Sequence, residues 1–156
     1  MAERVSTGFA NAQLTALAND FRQGVIAIYS GTQPTSADEA ETGVLLCLIT
    51  KDGGSYSAAD PSSGLTFGSP SGGVIDKSAE VWSGTAIANG IAGWFRFYAH
   101  DAGAADGYTT GASTTAKRFD GAISTSSSAE LQMLNTTVAV GGVITVSGLP
   151  ITYPKA

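Results

Sequence analysis

From Gly24 onward, glycine and proline cut this chain into short β-branched and aromatic runs, and none of them keeps a helical period. The clearest runs are 25–30 (VIAIYS), 44–50 (VLLCLIT), 81–88, 91–100 (IAGWFRFYAH), 116–123, 129–134, 137–140 and 143–146. Weaker ones follow at 55–58, 65–67, 74–76 and 151–153. About eight to ten short strands at regular spacing predict an all-β domain, read here as an antiparallel β-sandwich or jelly roll, with a barrel as the other architecture of this pattern. The run at 44–50 is apolar on both faces, which suits a central strand. Within 91–100, Trp94, Arg96 and Tyr98 point one way and Phe95 and Phe97 the other. Asn89-Gly90 and Gly141-Gly142 read as tight hairpin turns. A βαβ order finds no support.

Only the segment before Gly24 reads as a helix. Ser6 or Thr7 is placed to cap it, and Leu14, Leu17 and Phe21 fall at helical spacing beside Ala10 and Ala18. With Gly24 as the left-handed terminator, the helix is expected at about 8–23, preceded by an N-terminal arm at 1–7. Its apolar face must pack on its own sheet or on an adjacent subunit. No linker, repeat or change of composition divides the 156 residues, so a single domain, 1–156, is expected.

Such strands need a reason to stay apart from their neighbours, and this chain has little charge to do it with. Asp, Glu, Lys and Arg make up 13% of residues, about half of the ~25% usual in soluble domains. Ser, Thr, Ala and Gly take their place. That surface suits permanent contact with other subunits or a rigid extracellular particle; it also suits a plain Thr/Ser-rich β-protein. A net charge of −5, with only Lys117 and Arg118 adjacent among the bases, argues against nucleic acid. The longest apolar run, 44–49, is far short of a membrane span, so no membrane partner is expected. Glu3 and Arg4 break the start of the chain, which is read as no signal peptide, with synthesis in the cytoplasm and export only within an assembly.

Chemistry has few carriers. His100 is the one histidine and Cys47 the one cysteine; no G-x-S-x-G elbow, glycine-rich phosphate loop or metal-ligand spacing is present. Cys47 lies in an apolar run and reads as a buried small hydrophobe. The acidic loop with Asp38, Glu39 and Glu41 and the one from Asp101 to Asp106 both lack EF-hand spacing. The expectation is no enzyme, no metal and no cofactor. An exposed sugar groove built from Trp82, Trp94 or Tyr98 is the alternative to their being core.

Three stretches together carry a resemblance. They are Ile28, Tyr29, Ser30, Gly31, Thr32, Gln33 and Pro34 with Ala37-Asp38 and Gly43, Val44, Leu45 and Leu46; Trp82, Ser83, Gly84, Thr85 and Ala86 with Gly93, Trp94, Phe95 and Arg96; and Arg118, Phe119, Asp120, Gly121 and Ala122. The combination resembles small virion-associated structural proteins encoded among the head and tail genes of tailed bacteriophages, over about residues 6–150. The resemblance implies a virion component assembled in the host cytoplasm. The leading expectation is a capsid decoration or cement protein, a homo-dimer or homo-trimer whose partner is the major capsid protein. A tail, baseplate or fibre-associated protein, with carbohydrate affinity, is the other. Arg96 and Arg118 lie among aromatics, and Asp120 is placed to pair with either; these, Trp94 and the helix stripe Leu14, Leu17 and Phe21 are the candidate structural or interface residues.

Overall fold

The structure is a computed structural model that describes residues 4–153, so the first half of the expected arm lies outside the described residues. Helix α1 spans Thr7–Asp20, and the Phe9 N–H donates to Ser6 Oγ at 3.1 Å, which makes Ser6 the cap. It ends three residues before the expected 23. The left-handed residue is Gln23 (φ 62), not Gly24. Gly24 serves space instead: a Cβ there would lie 2.3 Å from the Tyr98 carbonyl oxygen and 2.8 Å from the Phe97 ring. The chain passes at that distance because it turns straight from the helix into the first strand.

That strand organises everything after it. β1 (Val25–Ser30) pairs antiparallel with β2 (Leu45–Lys51) along one edge and with β5 (Gly90–Tyr98) along the other. From β5 the wall continues through β6 (Arg118–Ser124), β7 (Leu131–Met133), β9 (Val143–Gly148) and β4 (Trp82–Thr85), which returns to β2. Seven strands thus close a ring, antiparallel throughout except for β6 with β7. β8 (Thr137–Val138) adds to the first residues of β5, and β3 (Val74–Ile75) pairs with β10 (Ile151–Thr152) in a separate ribbon.

The all-β class with one N-terminal helix holds, but the two-layer sandwich or jelly roll gives way to a closed barrel. Alternation of apolar and polar residues is the same in both, so only the pairing of β1 with β5 decides. Glycine makes the corners possible. A Cβ at Gly84 would stand 2.1 Å from the Leu48 carbonyl oxygen, and one at Gly93 2.2 Å from that of Gly31. Neither tight turn makes the hairpin expected of it, since β4 does not pair with β5 nor β8 with β9. The runs at 55–58 and 65–67 form no strand; Leu65 and Phe67 make isolated bridges to Gly24 and Lys77.

Phe95, Phe97, Ile26, Ile28, Ile49 and Trp82 fill the interior, and Leu17 of α1 and Phe21, which caps its C-terminus, pack with them. A second apolar cluster of Val25, Ala27, Tyr29, Trp94 and Tyr98 lies on the other face of β1 and β5, with Tyr56 and Tyr108 against it. These two strands are therefore buried on both faces.

Candidate functional site

Two guanidinium groups hold the loops over that outer face. Arg96, 0% exposed, grips Asp120 with two parallel hydrogen bonds, Nε to Oδ1 at 2.6 Å and Nη2 to Oδ2 at 2.8 Å. Its third nitrogen donates to the Glu39 carbonyl (2.8 Å) and to Glu41 (3.0 Å). Arg118 donates to backbone carbonyls: Ala37 at 2.6 Å and Gly111 at 2.7 Å, with Ser113 farther at 3.3 Å. Glu41 also accepts from the Tyr98 hydroxyl (2.5 Å) and the Gly111 N–H (2.9 Å). Burial raises its pKa, but these donors and Arg96 outweigh it and leave the carboxyl below its ordinary value. Tyr98 reaches Tyr29 at 3.0 Å, and Tyr29 stacks on Trp94.

All seven singled-out residues are accordingly engaged within the domain. Asp120 pairs with Arg96, leaving Arg118 to the carbonyls. Leu14 and Phe21 are buried, and the apolar face of α1 packs on this chain's own barrel. Trp82, Trp94 and Tyr98 are buried too, so they do not line an exposed sugar groove. Cys47 sits in the barrel interior, where burial pushes its thiol up to about 12 and keeps it protonated at neutral pH. His100 lies elsewhere, its Nδ1 2.9 Å from the Tyr56 hydroxyl. Among the described residues no cluster of three metal-ligating side chains occurs, and no helix is long and apolar enough to cross a membrane.

The exposed surface has its own concentration of one property. Ile87, Ile91, Leu134, Val140, Val143 and Val44 are all more than half exposed, with Leu134 at 86% and Val143 at 73%. All six belong to one end of the barrel, where β2, β5 and β9 begin and β4 ends. Short links bind that end together: Ile91 stands opposite Thr137, Thr85 opposite Val143, the Gly141 N–H donates to the Ala86 carbonyl, and the Val140 N–H to Asn89. No charged residue occurs between Glu80 and Arg96 or between Glu130 and Lys155, the stretches that build most of it. Glu41, in the loop after β1, is drawn away to Arg96 and Arg118. The result is an uncharged, aliphatic pole. Residue-by-residue reading passed over it because these side chains look like ordinary strand residues; the two charge-free stretches are the signal that marks it.

Compared with known families, curated proteins and solved structures, the chain finds no match.

Proposed function

We propose that this chain is a non-catalytic structural component of a virion of the tailed-bacteriophage kind, and that it decorates or cements the capsid by bridging capsid subunits. The observation that carries the proposal is the charge-free aliphatic pole on a closed barrel. A soluble monomer seldom leaves so contiguous an apolar surface to water unless another surface covers it.

Magnitudes favour a bridging role. Fully burying one such side chain is worth ~1.5–3 kcal/mol, so six at about two-thirds exposure supply roughly 6–12 kcal/mol. Association itself costs ~4–15 kcal/mol. The pole alone therefore holds one partner weakly, and it holds firmly where a lattice offers several contacts at once. Binding only the assembled lattice then stabilises that lattice by mass action.

The test replaces Leu134 and Val143 with Asp. Both side chains are exposed, so thermal unfolding is expected to stay unchanged while retention on purified particles is lost. Undiminished retention would sink the proposal. Copy number by quantitative mass spectrometry locates the role: a head protein scales with the number of capsid subunits, and a tail protein is far scarcer.

A further inference from the structure

At the end of the barrel away from the pole, the wall has a gap. β6 pairs with β5 from Arg118 to Ala122, but β7 reaches it only at Ile123 and Ser124. No strand among the described residues pairs with the outer edge of β6 before Ala122. Beside that edge lies a groove of about 490 Å³, lined by Leu17 of α1 and Phe21 just after it, Phe95 and Phe119 of the barrel, and Leu149 and Ile151 on the far side.

The edge has a defined set of hydrogen-bonding groups. In an antiparallel pair, alternate residues turn both backbone groups toward the partner and those between turn them away. The Ala99 N–H donates to the Lys117 carbonyl, so Lys117, Phe119 and Gly121 face β5. Arg118, Asp120 and Ala122 then face the groove. Ala122 shows what such a group accepts: its N–H donates to the Glu130 carboxylate at 3.1 Å. The N–H and C=O of Asp120 are left for another chain.

We infer that this groove receives an extended segment of a partner protein, which adds to β6 as a strand. A strand residue occupies about 160 Å³ (roughly 3.3 by 4.8 by 10 Å), so the groove matches about three residues. Its lining asks for small or aliphatic side chains at alternate positions, and Glu130 at one end asks for a basic residue there. Glu130 beside the apolar lining commits the occupant to a partner segment that carries one basic residue among aliphatic ones. The inference does not rest on the pole, which lies at the other end.

The full-length protein, labelled with ¹⁵N, is titrated with the capped peptide Lys-Val-Thr-Val-Thr-Val and with its reverse. One of the two is expected to shift the Asp120 and Arg118 amide signals saturably. Methylating the peptide's alternate backbone nitrogens should weaken binding roughly tenfold, the loss of two backbone hydrogen bonds. Glu130→Gln should weaken it as well, and this variant keeps an acceptor for Ala122. Three results would each overturn the inference: no shift at Asp120 with either peptide, equal binding of the methylated peptide, or the same shifts appearing on concentrating the protein alone, which would give the edge to a second copy.

Discussion

Arg96 is the residue on which the outer face depends. It is wholly buried and bonded to two carboxylates and a carbonyl, so its removal strands Asp120 without a counter-charge and leaves Glu41 only the more distant Arg118, at 3.9 Å. Arg96→Met is expected to lower stability by ~3–5 kcal/mol in urea unfolding, and Arg96→Lys should recover little, because an ammonium cannot span both oxygens of Asp120. Glu41 adds a dependence on pH. Its folded pKa lies below the ordinary 4.5, so the folded state holds the proton less tightly than the unfolded one. The stability it contributes is complete above that ordinary value and is lost as pH falls through the folded pKa. In acid titration of unfolding, Glu41→Gln should flatten this part of the curve; an unchanged slope would remove Glu41 from the account. The arginines and Asp120 were legible in sequence as a group. Glu41 was not, since 55 residues separate it from Arg96 and only the closed loop brings them together.

Elements were legible where local chemistry decides them and obscure where the ring does. The start of α1 follows from Ser6, a capping side chain ahead of a helical run. Its end does not, because Gly24 is constrained by the Tyr98 backbone on the neighbouring strand β5 and not by a left-handed φ. Gly24→Ala is thus expected to destabilise by ~1–3 kcal/mol, as for other overpacked sites, measured by thermal melting. A near-neutral alanine would mean that the close approach to the Tyr98 carbonyl does not constrain this position. Leu14→Ala should cost ~2–5 kcal/mol, since its side chain is buried. Asn89-Gly90 misled for the same reason as Gly24: the dipeptide suits a hairpin, yet the strands on either side of it belong to different parts of the wall. Asn89 instead accepts from the Val140 N–H, tying the pole together.

At the scale of the whole molecule, class and patterning were readable but closure was not. Sandwich and barrel share the same alternation, and the distinction rests on one long-range pairing, Val25 with Tyr98 through Ser30 with Ala92. Such pairings carry a loop-closure cost before they are rewarded, so refolding is expected in milliseconds to seconds, slower than for a helical chain of this size. The order of strands also bears on how the molecule comes into being. β9 is the wall between β4 and β7, yet it is made after both of them. β4 and β7 each keep an edge open until residue 148 has emerged. Premature termination before Val143 should therefore yield no smaller soluble product, only insoluble material on fractionation of expressing cells, whereas a stop after Tyr153 leaves a finished wall.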